Sequence, residues 1–186
     1  MATVGLKNLH YAKLTKDDTT GVTYETPARL GGAISLRVDP QNNKTTLYAD
    51  DAPFATAQSI SEINVDIELA DLDPSVMAIL LGHTIDSVTG EVTSKAGDMA
   101  PYVGIAGEAE KHNGAKRFFK LLKGRFSEGE ENLQTKGDSP EYTTPKLTGS
   151  FVMREYDGQW RRIVDSDSSL GADLIANWYA SMEPTT

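Results

Sequence analysis

The sequence contains no cysteine. This absence excludes disulfide frameworks, thiolate metal sites and cysteine nucleophiles. The chain also lacks any apolar run that approaches the roughly 20 residues needed to span a bilayer. Its first residues, MATVGLKNLHYAKLTKDD, lack the apolar core of a signal peptide. We therefore expect a soluble protein that is made in the cytoplasm and does not enter a membrane.

Positive charge is scarce, because 18 Lys and Arg residues face 27 Asp and Glu residues, a net charge of −9 at pH 7. Adhesive binding to nucleic acid requires Lys and Arg to neutralise phosphates, so this balance argues against it. The exception is KRFFKLLKGR at residues 116–125. This basic cluster could be an RNA-binding stripe, but the surrounding chain is acidic. We interpret the cluster as a strand with solvated cations on one face.

Motifs for catalysis are missing as well. There is no GxSxG elbow, HExxH, phosphate-binding glycine loop or dinucleotide fingerprint. Asp50 and Asp51, in LYADDAPF, could form a metal site or an acid/base pair, but the stretch lacks the odd-position oxygen ligands and the central glycine of a calcium loop. Adjacent side chains in an extended segment also point to opposite sides. We predict no catalytic residue, no metal site and no cofactor.

Strand patterns dominate what is present. INVDIEL, residues 63–69, alternates apolar and polar residues strictly, which is typical of a half-buried strand. Asn113-Gly114 predicts a hairpin between residues 101–110 and 115–126, and Asp157-Gly158 predicts another between the flanking β-rich runs. The pattern favours antiparallel pairing over parallel units with crossover helices. The predicted fold is therefore a mainly β antiparallel sandwich or barrel in a single domain, residues 1–186.

Two helices are predicted. The first covers about residues 73–81, where Asp73 can cap the N-terminus, Pro74 suits the first turn and Gly82 suits the C-terminal end. A second, weaker helical pattern covers residues 172–182, where Leu174 and Trp178 recur four residues apart. The first helix is expected to flank the sheet.

Three segments do not fit a compact sheet. We interpret residues 39–59 and 127–145 as long loops, and residues 1–20 as an N-terminal arm. Long connections in compact domains are usually functional or disordered. Residues 39–59 contain Tyr48 and Phe54, which suit a loop that docks on a neighbour, while Asp50 and Asp51 stay in water or contact a partner's cations.

The order of these segments resembles a known family. VGLKNLHYAKLT, GVTYETPARLGGAISLRVDP, TTLYADDAPFATA, DPSVMAILLG, MAPYVGIAGEAEKHNGAKRFF, LLKGRFSEGEENLQTKG and KLTGSFVMREYDGQWRRIV look like the major tail protein, or tail tube protein, of long-tailed phages with non-contractile tails, especially those of Gram-positive hosts. The resemblance covers nearly the whole chain, and no single motif carries it.

The resemblance implies a virion protein with the β-sandwich or barrel of a tail tube. In this family, subunits form sixfold rings that stack into a tube, assembled in the host cytoplasm. The implied partners are further copies of the chain, a tape-measure protein, a tail terminator and baseplate or distal tail proteins. DNA later passes through the tube without adhering to it.

The family role suggests which residues meet neighbouring subunits and which face the channel. The residues expected at subunit or ring interfaces are Leu6, Leu9, Tyr11, Tyr48, Asp50, Asp51, Phe54, Lys116 and Arg117. The residues expected to face the channel lumen are Glu62, Asn64, Asp66 and Glu68. A lumen with few adhesive cations would let DNA slide.

Two alternatives from other classes remain open on the sequence. A carbohydrate- or cell-surface-binding β-sandwich would be monomeric and would expose aromatics such as Trp160 and Trp178 on one concave face. A hydrolase with dispersed carboxylates would have a cleft that loses activity when a single Asp or Glu is replaced.

Overall fold

The computed structural model describes residues 3–49, 51–129, 144–168 and 171–183. Strands make up most of this part of the chain. They are β1 (Thr3–Asp18), β2 (Gly21–Tyr24), β3 (Ala28–Arg29), β4 (Ala33–Ala49), β5 (Ala52–Leu69), β6 (Thr84–Ile85), β7 (Val92–Thr93), β8 (Val103–Lys111), β9 (Lys116–Ser127), β10 (Lys146–Phe151) and β11 (Arg161–Asp165). Two short helices, α1 (Pro74–Leu81) and α2 (Ala172–Ala176), complete the described elements.

One antiparallel sheet holds nine of these strands in the order β2-β1-β8-β9-β10-β5-β4, with β3 also beside β1 and β11 also beside β9. The sheet curls into a half-barrel. Strands β6 and β7 form a separate hairpin. The mainly β, antiparallel architecture with a flanking helix confirms the fold class expected from the sequence.

The main core lies inside the curl of the sheet. The predicted alternation on β5 is confirmed, because its inward side chains are no more than 1 % exposed while their neighbours face outward. The buried residues of this core are Leu9, Tyr11, Leu30, Ile63, Val65, Ile67, Leu69, Leu80, Leu81, Val103, Ile105, Leu121, Phe126, Leu147 and Phe151. Helix α1 covers part of this core with Leu80 and Leu81.

Helix α1 begins and ends where the sequence predicts. The Asp73 carboxylate accepts a hydrogen bond from the backbone N–H of Ser75 at 2.8 Å, which satisfies one free donor of the first turn. Gly82 has φ of 77°, in the left-handed region. A Cβ at this position would lie 2.2 Å from the carbonyl oxygen of Met99, so only glycine fits there.

A smaller core lies on the opposite face of β1, β8 and β9. Neighbouring strand residues divide between the two cores, with Tyr11 and Ile105 in the main core and Ala12 and Ala106 in the smaller one. The C-terminal segment, defined here as residues 171–183, covers this face by burying Trp178 and Met182. The predicted helix over 172–182 is helical only as α2, and turns follow it up to residue 180.

Two of the predicted irregular segments are strands. Residues 3–18 form β1, which pairs with β8, so the interpretation as an arm is wrong there. Residues 39–49 and 52–59 belong to the long β4–β5 hairpin, so the predicted loop over 39–59 is also wrong. The apolar alternation is missing because both faces of that hairpin meet solvent, and backbone pairing needs no such pattern. The predicted loop over 127–145 lies mostly outside the described residues.

The two predicted glycine turns differ from expectation. Asn113-Gly114 does join β8 to β9, but only Gly114 has positive φ, 78°. Its N–H donates to the Lys111 carbonyl at 2.9 Å, and the Lys111 N–H donates to Ala115 at 2.7 Å, which is a three-residue turn with a glycine bulge. Asp157-Gly158 does not reverse the sheet, because β10 and β11 both run antiparallel to β9.

Candidate assembly surfaces

The outer half of the β4–β5 hairpin, residues 41–60, contributes none of its described residues to the buried set of either core. Nine residues per strand at about 3.3 Å each extend roughly 30 Å. Nearly every described side chain in it is exposed on both faces. An isolated two-stranded hairpin is only marginally stable in water. The outer half of this hairpin is therefore a candidate surface for contact with another molecule.

The hairpin tip carries large apolar side chains in solvent. Leu47, Tyr48 and Phe54 are 60 %, 67 % and 75 % exposed. The predicted contact role of Tyr48 and Phe54 thus falls on a surface that is free in the single subunit. Such a cluster on a protruding element is typical of a site for protein contact.

Asp51 stands at the turn of this hairpin. Ala49 pairs with Ala52, so Asp50 and Asp51 connect the two strands. Asp51 has φ of 59°, a conformation that Asp tolerates better than most residues because its short side chain hydrogen-bonds locally. Asp50 lies outside the described residues. Asp51 therefore belongs to the turn, and in the described ranges no group of three or more potential metal ligands was found.

The predicted lumen residues share one face of the sheet, opposite the main core. On β5, Glu68 stands between Ser35 of β4 and Lys146 of β10, and Asp66 stands between Arg37 and Thr148. Thr144 donates a hydrogen bond to Glu68 at 2.6 Å, and this bond is the main cause that lowers the pKa of the Glu68 carboxyl. The Glu68 carboxylate is therefore ionised at neutral pH.

The charges on this face nearly balance. Directly opposed residues of an antiparallel pair share a face of the sheet. By this rule, and by the hydrogen bond from Ser150 to Glu62, the acidic residues on this face are Asp39, Glu62, Asp66 and Glu68. The basic residues on it are Arg37, Arg125 and Lys146. Arg37 pairs with Asp39 at 3.2 Å, and the Arg125 guanidinium lies 3.9 Å from the Tyr102 ring centroid. The face offers few unpartnered cations to a polyanion.

The outer strand of the sheet has a free edge. No strand within the described ranges hydrogen-bonds to β4 on the side away from β5. Pro40 interrupts β4, and proline is confined to edge strands because it cannot donate a ladder hydrogen bond. At the other margin of the sheet, β2 and β3 pair with only part of β1. The subunit therefore presents two different sheet margins.

The remaining predicted interface residues are engaged inside the subunit. Leu9 and Tyr11 are 0 % and 6 % exposed in the main core, so they do not form the docking arm that was expected. Leu6 is partly buried against the same core. Lys116 contacts Glu108 at 3.0 Å. The burial of Leu9 and Tyr11 follows from β1 being a central strand, which single-sequence periodicity did not reveal, whereas Lys116 on β9 stays exposed.

Arg117 forms a two-pronged ion pair with Asp165, through Nε at 2.7 Å and Nη2 at 2.8 Å. Lys111, which is almost fully buried, contacts Asp165 at 3.0 Å and Asp167 at 2.7 Å. Arg117 is the main cause that holds the pKa of Asp165 well below its usual range, and Lys111 adds to the effect. This network joins β11 to the β8–β9 hairpin and was not foreseen from the sequence.

The aromatics needed for a carbohydrate-binding face are not displayed together. Trp178 is 2 % exposed, while Trp160 is partly buried against the main core and covered by Arg161 at 4.5 Å. In the described part of the chain, no helix is long and apolar enough to cross a membrane.

Comparison with known families gives one match. A family model described as phage tail tube protein matches residues 1–173. No match is found among curated proteins. The matched region contains the hairpin, the polar face and both sheet margins, and it ends just inside α2. The chain therefore belongs to the phage tail tube protein family, a family of structural proteins of the virion tail.

Proposed function

We propose that the chain polymerises as stacked sixfold rings into a tail tube, which is the conduit for DNA ejection into the host. The tube is assembled in the host cytoplasm around a tape-measure protein, between a tail terminator and baseplate or distal tail proteins. The protein has no enzymatic role. The observation that carries the proposal is the protruding hairpin with its uncovered apolar tip, in a chain that the tail tube family model matches.

Ring closure is supported by the two sheet margins. A head-to-tail contact joins two different surfaces of the same chain, and it closes into a ring when the rotation permits. The free edge of β4 and the opposite margin at β2 and β3 are such a pair of surfaces. Pairing them removes the exposed edge that would otherwise template uncontrolled association.

Stacking is supported by the hairpin. Its tip combines Leu47, Tyr48 and Phe54 with Asp51 of the turn. When such a tip docks on the next copy along the axis, the contact repeats without closing and gives an open polymer. The hairpin is long enough, at roughly 30 Å, to reach beyond the body of its own subunit.

The polar face of β4, β5 and β10 supports the lumen assignment. If Glu62, Asn64, Asp66 and Glu68 line the channel, DNA meets carboxylates and a few cations that already have partners on the protein. Ionic screening limits repulsion to about 8 Å at physiological salt. The useful effect is therefore weak adhesion of phosphates to the wall.

The ring and tube are tested by shortening the hairpin. Tails are assembled in cells with a variant in which residues 42–59 are replaced by a two-residue turn, and they are viewed by electron microscopy. We expect a folded subunit and no tubes. The matched control shortens the β6–β7 turn by removing residues 87–90, and this variant is expected to assemble into tubes. Normal tails from the first variant would refute the stacking role.

The lumen is tested by reversing charge on the polar face. In Glu62→Lys/Asp66→Lys, we expect assembled tails that release DNA more slowly, because lysines bind phosphates. Asp71→Lys/Glu91→Lys changes the net charge equally on exposed positions away from that face and should release DNA normally. Equal release by both variants, or a density map with Glu62 and Asp66 on the tube exterior, contradicts the assignment.

A further inference from the structure

A cluster of three cations lies beneath the C-terminal segment. Arg154 and Lys120 are buried, with residue exposures of 1 % and 4 %, and the Arg162 side chain is 22 % exposed. Lys120 and Arg162 stand opposite each other on β9 and β11 and therefore share a face. In an acidic chain, this is an unusual concentration of positive charge away from water.

Negative charge does not balance the cluster within the described residues. Asp157 is the one carboxylate with an ion pair to it, forming a two-pronged pair with Arg154 and lying 3.6 Å from Arg162. Lys120 donates to the carbonyl oxygen of Ser181 at 2.7 Å and lies 4.4 Å from the Trp178 ring centroid. Arg162 donates to the Glu183 carbonyl at 3.3 Å and to the Gln159 side chain at 3.0 Å.

These carbonyl and aromatic contacts satisfy donors without neutralising charge. A buried cation without a counter-charge is costly, because desolvation is not offset by attraction to an opposite charge. Burial and the two neighbouring guanidinium groups lower the pKa of Lys120 to about 8. Burial and Arg154 also lower the pKa of Arg162. The local field is therefore positive, and an anion would relieve it.

We propose that Lys120, Arg154 and Arg162 form a binding site for an oxyanion. The oxygens of the ligand would replace the Ser181 and Glu183 carbonyls as the acceptors for Lys120 and for Nη1 of Arg162. Arg154 remains committed to Asp157 and to Tyr24, whose hydroxyl accepts from it at 3.3 Å. Arg154 contributes through its charge and by holding Asp157 between itself and Arg162.

The oxyanion has two possible sources with the same chemistry. One is a small ion such as inorganic phosphate, and the other is a carboxylate of a second copy of this acidic chain. In the single subunit, the carbonyl oxygens of Ser181 and Glu183 occupy the positions that the ligand oxygens would take. Both residues belong to the C-terminal segment. Most of that segment lies beyond the family match, which ends at residue 173. The site does not depend on the tube itself.

The test uses thermal unfolding of dispersed subunits at constant ionic strength, with chloride replaced stepwise by phosphate. At ten times the dissociation constant, mass action predicts a rise in Tm of about 3–6 °C for a chain of this size. Because phosphate stabilises folded proteins in general, binding at this site is judged by comparing variants with the unmodified protein. Arg162→Gln should lose the saturable part of the rise. The matched control is Arg161→Gln. Arg161 is an exposed cation next to Arg162 in the sequence, and it lies on the opposite face of β11, on the side of the main core.

Two further measurements separate the sources and guard against a variant that does not fold. Calorimetric titration of the unmodified protein with phosphate should show saturable binding. Sedimentation velocity with and without phosphate then separates the two sources. If the natural ligand is a small ion, phosphate leaves the association state unchanged. If the natural ligand is a carboxylate of a second copy, phosphate competes with it and weakens self-association. If phosphate neither binds nor changes self-association, or if Arg161→Gln and Arg162→Gln respond equally, the proposal is overturned.

Discussion

Replacing Phe54 by serine separates folding of the subunit from its assembly. The Phe54 side chain is 75 % exposed and makes no part of either core. Exposed substitutions away from special features usually change the free energy of unfolding by less than about 0.5 kcal/mol. We therefore expect Phe54→Ser to unfold at the same denaturant concentration as the unmodified subunit.

The effect on docking should be much larger. Burying a phenylalanine side chain contributes about 1.5–3 kcal/mol, and at about 2 kcal/mol each contact weakens roughly thirty-fold. In the proposed tube, every subunit of a ring makes this contact, so the losses add across each stacking interface. Tails assembled from Phe54→Ser should be few or short when they are counted by electron microscopy.

The matched control is Val88→Ser, which alters the most exposed large apolar side chain, at 91 %, outside the hairpin. It should leave both stability and tail length unchanged. If Phe54→Ser gives tails of normal number and length while its unfolding is unchanged, the tip does not contribute to stacking. If it unfolds the subunit, the hairpin is part of the core, and the separation described here is wrong.

Three further predictions concern the subunit alone and are checked by chemical denaturation. Phe151→Ala should destabilise by about 3–5 kcal/mol, because Phe151 is fully buried; a loss below 1 kcal/mol would show that the sheet closes over the cavity. The pKa of Lys120 is lowered from 10.5 to about 8, so between these two pH values the unfolded state binds more protons than the folded state. The free energy of unfolding should therefore rise with pH from about 8 to 10. Lys120→Met should abolish this rise, and an unchanged rise in the variant would show that other groups cause it. Arg117 holds the pKa of Asp165 low, so the ion pair stabilises the fold at pH values above the ordinary carboxyl pKa and is lost in strong acid. Asp165→Asn should therefore lower the free energy of unfolding at pH 7, and the two proteins should become equally stable in strong acid. A difference in stability that stays constant at all pH values would contradict the ion-pair explanation.

The parts of the fold that the sequence predicted are those with one face in the core. Strict alternation marked residues 63–69, and capping residues marked α1 at both ends. In both cases local chemistry and burial act in the same direction, so a short window of sequence contains the information. Glu62, Asn64, Asp66 and Glu68 lie on the outward, polar face of β5 for the same reason, although the sequence cannot show what that face meets.

The β4–β5 hairpin was misread because neither of its faces is buried. Residues 41–60 pair through backbone hydrogen bonds, to which their side chains contribute little. The burial of Leu9 and Tyr11 was missed for a different reason, since it depends on β8 pairing along β1 some hundred residues later in the chain. Likewise, the Arg117–Asp165 ion pair joins residues whose contact follows only from strand order.

Because the outer half of the hairpin lies outside both cores, the core residues and the residues of the hairpin tip can change in sequence under separate constraints. Substitutions that preserve the inward side chains keep the subunit folded, whatever happens at the tip. In the proposed stacking contact, substitutions at the tip would be limited by the surface of the neighbour that the tip meets. If the tip makes the proposed stacking contact, exchanging this hairpin between related phages should transfer the choice of assembly partner without loss of foldable subunits.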